Sequence, residues 1–259
     1  MRAWIPALDT AAIPWMPTPL PGVFGKSLNS DPETQARTGM AKFEKGAFVP
    51  GRAHYHHVDE EILVTQGGAM TFDRRTWLPQ KGYIYHPPHT VHGFDSGFDG
   101  EVIVLSRHNG GGALELNYVE GEPLAQDWYQ AFGPPPPRAP AYIPDFTSLT
   151  STPEGDGSTV TVLSRHPETG EGSLFLTLPP NWDGAGAAIE LTRYREMFVL
   201  EGEVVCADGH VLKAGYYAFI PPGHAHGFAA SQPGALIYVA FGPDARPLHR
   251  GSRVEVYSL

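Results

Sequence analysis

The sequence predicts an all-β chain, built as two tandem copies of one small sandwich or barrel, and three observations carry that prediction. The 259 residues include 30 Gly and 26 Pro against 18% charged residues, a composition of many turns and short strands rather than long helices. Short apolar runs at residues 40–43, 61–65, 69–72, 82–85 and 101–105 recur at regular spacing between Gly- and Asp-containing breaks, as strands of a sandwich or barrel do. The second half also repeats the first. Leu-Asn-Ser-Asp-Pro-Glu-Thr at residues 28–34 returns as Leu-Ser-Arg-His-Pro-Glu-Thr at 163–169, and Gly67 returns as Gly202, both at an offset of 135. Pro-Pro-His-Thr-Val-His-Gly-Phe at 87–94 returns as Pro-Pro-Gly-His-Ala-His-Gly-Phe at 221–228, with His92 and His226 separated by 134. Three anchors in one order at nearly one offset mark a tandem duplication.

Taken in order, residues 1–38 carry Pro6, Pro14, Pro17, Pro19 and Pro21 and read as an extended arm with one edge strand. The strand pattern of the first domain starts at Thr38. Residues 125–132 read as a short helix, and Gly133 is followed by four consecutive prolines and Arg138, a stiff polyproline II connector. The expected domains are therefore 1–138 and 139–259. The formal charge of −10 argues against nucleic acid or an anionic membrane as partner, because both require a basic face. A single cysteine, Cys206, excludes an internal disulfide and a cysteine-based zinc knuckle. The first residues lack the apolar core of a signal peptide, and no apolar run reaches membrane-spanning length. A soluble cytoplasmic protein is expected.

Chemistry concentrates in residues 51–67. His54 and His56 lie two apart, so in an extended strand both imidazoles leave one face. Glu60 follows four residues later and shares its strand face with Ile62 and Val64. Glu61 competes for the carboxylate role, but the face argument favours Glu60. Two imidazoles and a carboxylate from neighbouring strands form a nitrogen/oxygen pocket suited to a divalent first-row metal. His92 is a candidate fourth ligand. His57 is expected to point outward by alternation, as is Tyr55, while His86 is a candidate to orient a ligand through a ring N–H. Phe72, Trp77, Tyr83, Tyr85 and Phe94 flank these strands, and Tyr85, His86, Phe94 and Phe72 are the candidate lining of a substrate pocket.

The order Gly, His-x-His, three residues, Glu, six residues, Gly, followed by Pro-x-x-x-x-His, resembles the two motifs of the RmlC-like cupin superfamily. Its repetition resembles a bicupin. Asp-Pro-Glu-Thr ahead of the barrel and Tyr-Ile-Tyr-His-Pro-Pro-His-Thr-Val-His-Gly within it are most similar to ChrR-like cupins, over roughly residues 15–110 and 145–242. The resemblance implies two jelly-roll barrels, the first holding one metal through His54, His56, Glu60 and His92. His89 departs from the pattern, which has Gly at that position; the second copy keeps Gly223 there.

The second copy places Ile189, Leu191 and Arg195 where the first has His54, His56 and Glu60, and only His226 persists. A permanently charged guanidinium repels a dication, so the second barrel is expected to lack a metal and to serve in packing and oligomerisation. The alternative is an anion pocket of Arg195 with His224 or His226. For the whole chain the resemblance implies one divalent transition metal, Fe2+ ahead of Mn2+, Zn2+ or Ni2+. The expected activity is a dioxygenase (an oxidoreductase) acting on a small enolisable or phenolic carbonyl compound. A non-redox Mn or Zn hydrolase or isomerase and a metal-containing small-molecule sensor are the competing readings. No side chain is assigned as a catalytic acid, base or nucleophile. The expected partners are a small-molecule substrate and a second copy in a homodimer.

Overall fold

The computed structural model describes residues 2–49, 53–67, 70–72, 76–92, 96–98, 100–109, 115–119, 136–184, 186 and 188–242, with the side chains of 70–72, 76 and 96 excepted. The regular structure of the described residues is strand, apart from two 3-10 turns at Thr10–Ala12 and Phe146–Ser148. They form two units, one of residues 1–2 and 14–146, the other of residues 3–13 and 147–259. No helix among them is long and apolar enough to cross a membrane. The helix expected at 125–132 lies outside the described residues.

In the first unit the main sheet is antiparallel and runs, edge to edge, Ala141–Ile143, Tyr83–His86, Glu60–Gly67, Val102–His108, Arg37–Phe43, Val23–Ser30, Met16–Pro17. The second unit has the same order: Ile5–Asp9, Tyr216–Ile220, Arg195–Cys206, Ala235–Phe241, Gly172–Leu178, Thr159–Arg165, Ser151–Pro153. The duplication read from the sequence is therefore a duplication of topology, and the two-barrel all-β architecture is as expected. The boundary is not at Arg138. Ala141–Ile143 pairs with Tyr83–His86, which keeps the chain in the first unit through Phe146. The N-terminal strand Ile5–Asp9 pairs with Tyr216–Ile220 and belongs to the second unit, so residues 1–38 are not one arm.

The repeated sequence anchors are repeated turns. The hairpin between Val23–Ser30 and Arg37–Phe43 is closed by Asp31, whose Oδ1 accepts from the backbone N–H groups of Glu33 and Thr34. In the second unit His166 Nδ1 accepts from Glu168 and Thr169 in the same way. The pair Gly67 and Gly202 marks a close approach. Both have positive φ, and a Cβ at either would be driven into a backbone carbonyl, of Glu101 and Gly234 respectively, so only glycine fits.

The inner faces of the strands make the cores. Ile62, Val64, Leu78, Ile84, Val102 and Val104 are buried together in the first unit. In the second, Leu191, Met197, Val199, Phe228, Ile237 and Phe241 belong to a larger cluster that also takes in Cys206. Cys206 is the small hydrophobe expected; burial and the nearby Asp208 push its thiol up to about 12.

Candidate metal centre

Backbone pairing delivers each polar side chain to one end of the first barrel. His54 and His92 face each other across an isolated bridge, each N–H donating to the other's carbonyl at 2.9 Å. Glu60 lies opposite His86 in the register of Glu60–Gly67 and Tyr83–His86. Because strands alternate, Glu60 shares its face with the core residues Ile62 and Val64 and ends a row that is otherwise apolar. His108 closes the strand Val102–His108 on the same side.

Two overlapping groups result, His54/His56/His92 and Glu60/His86/His92, each with ligand atoms within 4.8 Å of one another. Ring centroids separate His54 from His56 by 4.9 Å, His54 from His92 by 4.7 Å and His56 from His92 by 4.8 Å. His86 stacks on His92 at 4.2 Å. His56 Nδ1 lies 2.9 Å from the Glu115 carbonyl and His92 Nδ1 lies 2.8 Å from the Thr90 carbonyl. A carbonyl only accepts, so each Nδ1 carries a proton, which leaves Nε2 as the nitrogen available to ligate a metal. His92 Nε2 is buried without a hydrogen bond and stands 3.1 Å from Glu60 Oε2. A carboxylate oxygen facing an imidazole nitrogen that makes no hydrogen bond fits a cation between or beside them.

The electrostatics agree. Burial holds His56 down at about 4 against the opposing pull of Glu60, and burial with nearby His92 holds His86 at about 4. Burial pushes the Glu60 carboxyl up, but the imidazoles of His108, His86 and His92 outweigh it and hold the group well below the usual carboxylate range. Glu60 Oε1 is 3.3 Å from His108 Nε2, and Oε2 is 3.3 Å from His86 Nδ1. At neutral pH His56 and His86 are therefore uncharged beside an ionised Glu60. This His/Glu cluster is able to bind a metal ion.

Glu61 is on the other face and is fully engaged there. It meets Arg107 Nη1 at 2.5 Å, Arg138 Nη2 at 3.1 Å and the Tyr83 hydroxyl at 2.8 Å, all buried. Tyr85 shares that face, its ring 3.6 Å under the Arg138 guanidinium. This corrects the expectation that Tyr85 lines the substrate pocket, since alternation turns it away from Glu60 while it brings His86 in. Phe94 lies outside the described residues, as does the side chain of Phe72, and Trp77 is exposed. His108 and the Arg107–Glu61–Arg138 cluster were not anticipated. Val102, Val104, Ser106 and His108 alternate on one face, a signal for His108 had the strand been extended past Leu105.

His57 points outward, its Nδ1 2.9 Å from His89 Nε2, and Tyr55 packs edge-on to both rings. His89 has φ +67 and Gly223 has φ +80. The backbone N–H of each donates across the turn, His89 to His56 at 2.7 Å and Gly223 to Leu191 at 2.8 Å. The departure of His89 from the cupin pattern thus leaves the turn unchanged and puts a non-glycine residue in left-handed backbone.

In the second barrel the register reproduces the alignment. Ile189 faces His226 as His54 faces His92, and Arg195 faces Ile220 as Glu60 faces His86. Leu191 is buried where His56 would stand. Arg195 Nη1 lies 3.3 Å from His226 Nδ1. His224 is apart from this pair, its Nδ1 3.4 Å from the Pro222 carbonyl and its ring against Trp4. Among the described residues no metal-ligand group of the first kind occurs there.

Comparison with known proteins places this geometry in a family context. The ChrR cupin-like domain family matches residues 6–110. No curated protein matches the sequence. Among solved structures, a provisionally assigned dioxygenase from Nostoc punctiforme superposes with a TM-score of 0.73 at 18% identity, covering 92% of this chain and 82% of that one. The protein Ylba from E. coli gives 0.60 at 13% identity, covering 91% and 90%. An oxalate decarboxylase from Bacillus subtilis gives 0.56 at 12% identity, covering 93% and 78%. At these identities the likeness is one of fold.

Proposed function

Starting from a two-barrel cupin whose first barrel is ChrR-like, we propose that the chain is a non-haem Fe(II) dioxygenase acting on a small enolisable or phenolic carbonyl compound. The observation that supports this most directly is the donor set: three imidazoles, two of them oriented by backbone carbonyls, and one carboxylate converge in a site without thiolate, the chemistry of sites that hold iron, manganese, nickel or zinc with positions left for substrate. The fold shared with a provisionally assigned dioxygenase supports the choice of reaction.

In this reading His54, His56, Glu60 and His92 hold the metal, which when bound supplies the Lewis-acid and one-electron chemistry that joins an enolate to dioxygen. The chain's residues supply the rest. The Glu115 and Thr90 carbonyls fix His56 and His92 as lone-pair donors. His86 and His108 each hold one oxygen of Glu60, keeping it anionic and in place. Carbon–carbon cleavage consumes one dioxygen per substrate and delivers both oxygen atoms to the products, so no protein nucleophile enters the reaction.

The test is elemental analysis of protein purified without added metal, beside a His54→Ala/His92→Ala variant, followed by oxygen uptake with 1,3-diketones and hydroxyaryl ketones. Near one equivalent of iron, lost in the variant, with substrate-dependent oxygen consumption is the expected result. Zinc or manganese without oxygen uptake would move the chain to a non-redox metal enzyme. Absence of any metal after reconstitution would sink both readings.

A further inference from the structure

The second barrel keeps a polar pair, Arg195 and His226, at the places of Glu60 and His92. Arg195 and His226 are 8% and 5% exposed; Ile220 pairs with Arg195 and Ile189 with His226, the Phe228 ring lies 5.2 Å from that of His226, and Ile220, Phe228 and Leu191 belong to one apolar cluster with Ile189 packed against it. A guanidinium carries five N–H donors and a permanent charge, and it is rarely buried without a carboxylate. Among the described residues the one hydrogen bond of the Arg195 side chain is to His226 Nδ1 at 3.3 Å. Since a guanidinium only donates, Nδ1 must accept, which puts the imidazole proton on Nε2. That Nε2–H is buried and also without an acceptor. Among the described residues the site is thus an excess of donors with no anion to receive them.

Its charged neighbours point the same way. Arg193 adds a second cation in reach of Arg195; it is half-buried over Phe241 at 4.8 Å and donates to the Gly170 carbonyl. The carboxylate that acts on His226 is Asp208, which is largely exposed and held by the His210 ring and backbone N–H, each at 3.1 Å.

We propose that Arg195 and His226 form a binding site for the carboxylate of a small apolar monocarboxylic acid. The remaining guanidinium N–H groups and the Nε2–H of His226 donate to its oxygens, and its hydrocarbon part lies among the Ile and Leu side chains. The duplication has in this way exchanged a cation site for an anion site at equivalent positions. The inference is independent of which metal, or which reaction, the first barrel serves.

The test is calorimetric titration of the full chain with isobutyrate and with isobutyramide, at constant ionic strength, before and after treatment with a chelator. Isobutyrate is expected to bind at one equivalent and the amide not at all, unaffected by chelation. Arg195→Leu is expected to weaken binding by about tenfold or more, the loss of a charge-assisted hydrogen-bonded pair, with the metal content of the first barrel unchanged. If the leucine variant does not fold, Arg195→Lys keeps the charge but removes the planar fork, and the same direction is expected. Binding that is equal for acid and amide, that disappears on chelation, or that survives both substitutions would overturn the proposal, as would no binding at all.

Discussion

The two barrels share strand order, hairpin closures, the obligatory glycines Gly67 and Gly202, and a buried glutamate–tyrosine pair on the outer sheet face, Glu61 with Tyr83 and Glu196 with Tyr217 at 2.6 Å. They differ at the inner end of the same strands. Where the first has His54, His56, Glu60 and His86, the second has Ile189, Leu191, Arg195 and Ile220. The fold therefore does not need the polar cluster, because the second barrel closes without it. Buried imidazoles and a carboxylate that contribute nothing the fold requires carry a desolvation cost, which a bound metal ion would offset. Function is local, while the turns and glycines are global.

The sharpest way to break this comparison is to remove one ligand from each barrel. His92→Ala is expected to lower metal affinity by more than about 100-fold, beyond the range usual for residues that only support a ligand. The register-equivalent His226→Ala is expected to leave metal content unchanged. Elemental analysis of the two variants decides it, and equal losses would mean that the second barrel holds metal after all.

Next in size is the outer-face cluster, which the second barrel keeps only in part. Arg107 and Arg138 both reach Glu61, whereas the described position equivalent to Arg107 lies in the apolar stretch ending at Phe241. Arg107→Leu leaves a buried carboxylate short of one partner and is expected to cost about 3–5 kcal/mol, read as a lowered midpoint in urea. A cost under about 1 kcal/mol would mean that Arg138 and Tyr83 alone suffice.

Much of the site was legible because it is written in short spacings. His54 and His56, Glu60 seven before Gly67, and His92 in a repeated turn all follow from period two and one internal alignment. The same alternation argument preferred Glu60 to Glu61, and Glu61 lies on the other face in an arginine cluster. What was not legible depends on distant segments meeting. Arg138 sits in a proline-rich stretch that reads as linker, yet its guanidinium is anchored on Glu61 and Tyr85, and no local pattern records that contact. Proximity in sequence points Tyr85 at the pocket, but one residue of alternation reverses the face. The N-terminal strand Ile5–Asp9 carries no signal for the barrel it joins, since edge pairing is through backbone hydrogen bonds that any sequence supplies.

A smaller effect follows from the neutral imidazole that both barrels bury. Burial, then Arg195, holds His226 at about 3 against an ordinary 6.5. The unfolded chain takes up this proton below pH 6.5 while the folded one does not, so stability is present above that pH and falls as pH drops towards 3. His56 and His86, at about 4, act in the same direction in the first barrel. In chelator-treated protein the loss attributable to His226 is expected to be on the order of 2 kcal/mol. His226→Leu should flatten the curve of denaturation midpoint against pH between 6 and 4, and an unchanged slope would locate the acid sensitivity in the first barrel.

The smallest effect isolates one backbone position. His89 and Gly223 occupy the same turn with the same left-handed φ, and a Cβ at Gly223 meets nothing within 4 Å. Gly223→His therefore probes backbone strain without a clash, and it is expected to destabilise by about 1 kcal/mol. The reverse change, His89→Gly, is not expected to return that amount. It removes the strain, but it also deletes the hydrogen bond with His57, leaving a net change within about 0.5 kcal/mol. The second barrel has Thr192 at the place of His57 and offers no such partner. In a His57→Ala background, His89→Gly should then become stabilising by a few tenths of a kcal/mol or more. If the two backgrounds give the same value, the His57–His89 contact contributes nothing, and the strain at His89 is borne by the turn alone.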